Sequence, residues 1–130
     1  MASRPLSPHL EVYKFTYAMA TSIVNRVTGL CLSAGLVLLV YWLVAVAGGA
    51  SRFARAESIL SSAPCKVLYA ILVIGFCYHL TAGIRHLVWD TGRGLERTQS
   101  RASAKVVVVV SILLTLLIGY CFWIAGVRVA

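Results

Sequence analysis

Residues 27–51, VTGLCLSAGLVLLVYWLVAVAGGAS, contain no Asp, Glu, Lys or Arg. About 20 such residues carry a helix across the hydrocarbon core of a bilayer. Two further runs have the same property: 67–84, VLYAILVIGFCYHLTAGI, and 106–127, VVVVVSILLTLLIGYCFWIAGV. The middle run is the shortest, but at ~1.5 Å rise per residue it reaches roughly 27 Å, and Leu87, Val88 and Trp89 lengthen it beyond one Arg-His pair. The five valines that open the third run would favour a strand by soluble propensity. In lipid a lone strand leaves its backbone groups unpaired, and three runs cannot close a barrel, so helices remain. The expected fold is all-α, a bundle of three transmembrane helices over about 22–47, 64–89 and 105–127, forming one transmembrane domain.

Composition agrees: of 130 residues, 60% are hydrophobic and only 12% charged, too little polar surface for a soluble domain of this size. The net charge of +8 does not form the single basic stripe of a nucleic-acid binder. It flanks the spans instead. Arg4, Lys14, Arg26, Arg85, Arg93, Arg97, Arg101 and Lys105 fall on one side, and Arg52, Arg55, Lys66 and Arg128 on the other. The positive-inside rule then puts the N-terminus and the second loop in the cytoplasm and the C-terminus outside. Tyr41, Trp42, Tyr69, Tyr120 and Trp123 collect near the outer interface and Trp89 near the inner one, as membrane-border aromatics do. The first apolar run starts too late and runs too long for a cleaved signal peptide, so Met1 is read as the start of a bacterial inner-membrane protein.

Along the chain, Pro5 and Pro8 keep the first ten residues from regular helix. Glu11 to Thr21 mixes aromatic, charged and small residues, which suits a segment lying at the inner interface. Span one stops at Gly48-Gly49. An outer loop with Ser61, Ser62 and Pro64 follows, and Asp90-Thr91-Gly92-Arg93-Gly94 reads as a turn. Cys31, Cys65, Cys77 and Cys121 show no C-x-x-C spacing, unlike the grouped thiolates of an iron–sulfur cluster, and read as packing residues.

Polar residues inside a span are costly, which singles out His79. By itself it fits a haem ligand or an interhelical hydrogen bond equally well. Gly75 and Gly83, one turn either side, would clear a groove for a flat macrocycle, although glycines at that spacing also serve close helix packing. His86 shares the face but lies ~10.5 Å along the axis, so the two cannot both ligate one iron. Arg85 and His86 stand where they could hold propionates or simply snorkel to the interface. On span one, Ser22, Arg26, Gly29 and Ser33 form a polar, small-residue stripe at i, i+4, i+7, i+11, which faces either a ligand or another helix.

Three groups of residues together resemble the cytochrome b subunit of succinate dehydrogenase: Arg4-Pro5-Leu6-Ser7-Pro8-His9-Leu10 with Tyr13; Ser22-Ile23 with Arg26, Thr28 and Gly29; and His79 with Gly83-Ile84-Arg85-His86 and Asp90. They run through nearly the whole chain in order, and the N-terminal arm is similar to the mitochondrial and related bacterial branch. The resemblance implies a non-catalytic anchor subunit in the electron-transport chain and the tricarboxylic acid cycle, passing electrons from succinate to ubiquinone. It implies haem b, ligated by His79 and shared with a second small membrane subunit. It also implies an iron–sulfur subunit and a flavoprotein on the cytoplasmic face, and a ubiquinone pocket at Ser22 and Arg26; by its charge and position Arg26, like Arg85 and His86, could also hold a propionate. Asn25 departs from the pattern, standing where many relatives have His. It can donate a hydrogen bond but cannot carry a proton. Within the same class the alternative is the anchor of a fumarate-reducing or menaquinone-linked relative; from a different class it is a cofactor-free three-helix scaffold.

Overall fold

The computed structural model describes residues 15–129, with side chains through residue 126. The arm with Pro5 and Pro8, the stretch 11–14 and Ala130 lie outside the described residues. Four helices follow in order: α1 Tyr17–Ala47, α2 Ala50–Leu60, α3 Ala63–Asp90 and α4 Arg97–Val129. Among the described residues there is no strand. Three helices are long and apolar enough to cross a membrane: α1, α3 and the Arg97–Gly126 part of α4. The valines 106–110 are helical.

Two helices begin earlier than the charge-free runs suggest. α1 starts at Tyr17, after Thr16 takes an extended conformation and its carbonyl accepts from Met19 N at 3.0 Å and Ala20 N at 3.1 Å. α4 starts at Arg97 rather than near residue 105. An uncharged run measures the part of a helix that fits in hydrocarbon. The helix itself continues until a glycine, a proline or a competing cap stops it, and neither Thr16–Thr21 nor Arg97–Lys105 contains glycine or proline.

The connection between the first two spans also holds more structure than expected. α2 occupies most of it, entered through Gly49 at φ +88°, a conformation that disfavours side chains. Phe53, Ala56 and Leu60 recur at i, i+3 and i+7, and Ala56 is only 1% exposed. This apolar face lays α2 against the ends of α1 and α3.

α3 is the central helix and packs on both α1 and α4. The residues buried between helices are small: Ala45, Cys77, Ala82, Ala104 and Val107. Small side chains let backbones approach where lipid gives no hydrophobic drive for association. The buried hydroxyls bond within their own helices, Thr21 Oγ1 to Ala18 O at 2.9 Å, Thr81 Oγ1 to Tyr78 O at 2.9 Å and Ser111 Oγ to Val108 O at 2.9 Å. These three hydroxyls are thereby satisfied within the interface. Leu, Ile, Val and Phe side chains around the outside are largely exposed, as expected for a surface that meets lipid or other membrane helices.

Candidate functional site

His79 projects from α3 toward α1. Its Nδ1 lies 3.1 Å from the carbonyl oxygen of Asn25 and 3.3 Å from Thr28 Oγ1. A carbonyl only accepts, so Nδ1 carries the proton. The Thr28 hydroxyl already donates to Val24 O and Asn25 O, both at 2.9 Å, and its oxygen is left to accept. The ring is thus held by Nδ1, and in its neutral form this leaves the Nε2 lone pair free. Metal-binding imidazoles are oriented in this way.

Gly29 of α1 makes room for the ring. A Cβ there would stand 3.0 Å from His79 Cε1. The glycines flanking His79 on its own helix act differently: a Cβ at Gly75 would meet Thr28 Cγ2 at 3.8 Å, an ordinary packing distance, and one at Gly83 would meet nothing within 4 Å. The clearance against His79 thus comes from across the helix pair. A second tie, Tyr78 Oη to Thr21 O at 2.8 Å, sets the rotation of α3 on α1.

An open groove of about 630 Å³ runs beside this contact, lined by His79, Gly29, Ser33, Leu36, Leu72 and Phe76 among others. Gly29 and Ser33 of the α1 stripe therefore share a groove with His79. Ser22, half-buried, and Arg26, exposed, continue that face toward the N-terminal end of α1. One polar atom here is unsatisfied: Asn25 Oδ1 is buried without a hydrogen-bond partner among the described residues.

Arg85 and His86 diverge. His86 is exposed and sits edge-on to Trp89, ring centroids 5.1 Å apart. Arg85 turns to α4, where Nε donates to Ser103 Oγ at 2.9 Å and Nη2 to Ser100 O at 2.8 Å, with its guanidinium 4.0 Å from the centre of the Trp89 ring. Trp89 Nε1 in turn donates to Gly94 O at 3.1 Å, inside the turn whose Gly92 and Gly94 have positive φ. Arg85 is thus tied into the α3–α4 corner. Cys77 is buried, Cys65 half-buried, and Cys31 and Cys121 face outward. Among the described residues no three His, Cys, Asp or Glu side chains gather as a metal cluster.

Residues 2–118 match the model of the succinate dehydrogenase/fumarate reductase transmembrane subunit. The chain belongs to that family. It is 39% identical over 122 residues to the succinate dehydrogenase cytochrome b556 subunit of Paracoccus denitrificans, covering 94% of each chain. Identity to the mitochondrial cytochrome b560 subunit of Homo sapiens is 38% over 114 residues, covering 86% of this chain and 68% of that one. With the Rickettsia prowazekii cytochrome b556 subunit it is 39% over 118 residues, covering 88% and 90%. The family match spans Ser22, Arg26, His79, Arg85 and His86. Family members of this kind are non-catalytic cytochrome b membrane anchors.

Sequence reasoning missed three contributors: the carbonyl of Asn25, the hydroxyl of Thr28 and the role of Gly29 opposite His79. Gly29 was visible on the polar, small-residue stripe of α1 and Thr28 in the motif that carries the resemblance, but their register against α3 depends on helix rotation.

Proposed function

We propose that this chain is the haem b- and quinone-binding anchor of a succinate dehydrogenase in a bacterial cytoplasmic membrane. The reading rests above all on His79, whose protonated Nδ1 is engaged by Asn25 O at 3.1 Å while Nε2 remains a free lone pair beside a groove. That donor chemistry fits a ligand to haem iron. His79 is the residue that would hold the iron, and Arg26 and His86 have the charge and donors suited to propionates. Arg85 has the same charge but is already engaged by Ser100 and Ser103, so its part is first to fix the corner that carries His86. When bound, haem b supplies a one-electron redox centre.

His86 lies too far along the helix to be a second ligand. Any second imidazole for the group would therefore come from a second small membrane subunit, for which the exposed apolar faces of α1 and α3 offer surface. Ser22 and Arg26 provide a hydroxyl donor and a fixed positive charge for the carbonyl oxygens of ubiquinone, which gain negative charge during reduction. The N-terminus and the α3–α4 turn face the cytoplasm, where the iron–sulfur subunit and flavoprotein dock and succinate is oxidised. The relatives' names favour the succinate-oxidising direction, although the family description also covers fumarate reductases.

The test is to purify the tagged chain in mild detergent, identify its companions and record a reduced-minus-oxidised spectrum. A flavoprotein, an iron–sulfur protein, a second small membrane protein and b-type bands are expected together. A stable preparation with neither haem nor these companions contradicts the reading and leaves a scaffold.

A further inference from the structure

We propose that Tyr41, Arg52 and Arg55 form a headgroup site for an anionic phospholipid, in the leaflet at the α2 end of the bundle. The three side chains line a cavity of about 220 Å³ with Val44 and Ala45. Its floor is apolar, from the last turns of α1, and its rim carries two guanidiniums and a phenol. A phosphodiester above the start of an acyl chain has the same division of polarity. α2 is amphipathic and follows the end of a membrane span, so it lies at the boundary between headgroups and acyl chains.

Charge specifies the occupant. Arg52 and Arg55 are three residues apart on one helix, where like charges repel. Arg52 lies in the first turn of α2, whose N-terminal end is itself electropositive. Among the described residues neither guanidinium donates a hydrogen bond or forms an ion pair; at Arg55 it is the backbone carbonyl that accepts from Ser58 Oγ, at 2.8 Å. Glu57, the acid of α2, lines a different groove, between α1 and α3 beside Trp42 and Tyr69. The carbonyls at the end of α1 amount to roughly half a negative charge, less than two guanidiniums require. A phosphate anion completes the balance.

Gly48 indicates a built site and not merely a charged surface. Its φ of −80° and ψ of 1° are open to any residue, so the backbone does not call for glycine. Its lack of a side chain matters to Arg52: a Cβ at Gly48 would run into Arg52 Cδ and stand 3.3 Å from Arg52 Cβ. The aliphatic stem of Arg52 is thus laid across the end of α1, which carries its guanidinium to the rim shared with Tyr41 and Arg55.

The site does not depend on the haem or quinone assignments. It is tested by native mass spectrometry of the full chain with its accompanying subunits, offered dioleoyl phosphatidylglycerol and dioleoyl phosphatidylcholine in competition. The wild type is expected to retain phosphatidylglycerol preferentially. Arg52→Gln/Arg55→Gln should lower that retention by about tenfold or more, given what each basic residue contributes near an anionic surface. Gly48→Ala leaves every charge in place but displaces the Arg52 stem, and it should also weaken retention. Lys66→Gln, at the same end but outside the cavity, should not. If the double variant does not assemble, Gly48→Ala and Tyr41→Phe carry the test. Equal retention of the two lipids, or wild-type retention in Gly48→Ala, overturns the site. Displacement of the lipid by inorganic phosphate at the concentration at which phosphatidylglycerol itself competes overturns the lipid as its occupant.

Discussion

His79 Nδ1 on α3 donates to the backbone carbonyl of Asn25 on α1, 3.1 Å away. No side-chain substitution at residue 25 removes that acceptor, so the orientation of the imidazole is built into the packing of two helices. What can disturb it is the distance between them, and Gly29 sets that distance.

Gly29→Ala is therefore expected to be costly. Its Cβ would stand 3.0 Å from His79 Cε1, and overpacking of this kind costs about 1–3 kcal/mol. Thermal denaturation of the detergent-solubilised complex should show a lower midpoint and a shifted b-type band. Gly75→Ala, whose Cβ would meet Thr28 Cγ2 at 3.8 Å, serves as the tolerated control. Equal behaviour of the two variants refutes the close approach of Gly29 to the ring.

The α3–α4 corner should depend on Arg85. Arg85→Ala removes donors to Ser103 Oγ and Ser100 O and the contact with Trp89. Interhelical hydrogen bonds in membranes average about 0.6 kcal/mol each, so a loss of roughly 1–2 kcal/mol is expected. Arg85→Lys keeps the charge but not the fork of donors and should fall between. Denaturation in graded detergent mixtures reads this out. A wild-type midpoint for Arg85→Ala means that the corner is held by apolar packing alone.

How much of this was legible in the sequence follows from what each signal measures. Charge-free runs reveal lengths in hydrocarbon, so the three spans were readable, and lipid settles the valines 106–110 in favour of helix despite their strand propensity. The same runs say nothing about helix outside the bilayer, which is why α1 and α4 start earlier than expected. α2 left a trace in Phe53, Ala56 and Leu60, but with charged and small residues around them that trace is easily read as loop. His79 stood out as a polar residue within a span. Its partners did not, because a carbonyl has no sequence signature and the α1 face that meets α3 is fixed only once the helices pack.

At the proposed quinone site, Ser22→Ala is the cleaner probe, since Arg26 is also a candidate propionate contact. If the hydroxyl donates to a quinone oxygen as charge builds there, turnover with ubiquinone should fall on the order of ten- to a thousand-fold. Succinate oxidation by a soluble dye on the same preparation should be retained, because the proposed function places that chemistry outside this chain. Wild-type ubiquinone reduction by both Ser22→Ala and Arg26→Ala would place the pocket elsewhere.

Orientation can be checked with an impermeant thiol reagent in a Cys65→Ser background. Thr98→Cys, near the start of α4, should label from the cytoplasmic side. Ser58→Cys, exposed on α2, should label from outside. The reverse pattern would move the docking face to the other side of the membrane.

The absorption spectrum of the assembled complex carrying His79→Ala, recorded beside His86→Ala, bears most directly on haem ligation by this chain. Loss or strong perturbation of the b-type bands is expected in His79→Ala, with iron still ligated in His86→Ala, whose ring is exposed and packs on Trp89. An unaltered b-type spectrum in a folded His79→Ala complex, or loss confined to His86→Ala, would contradict it.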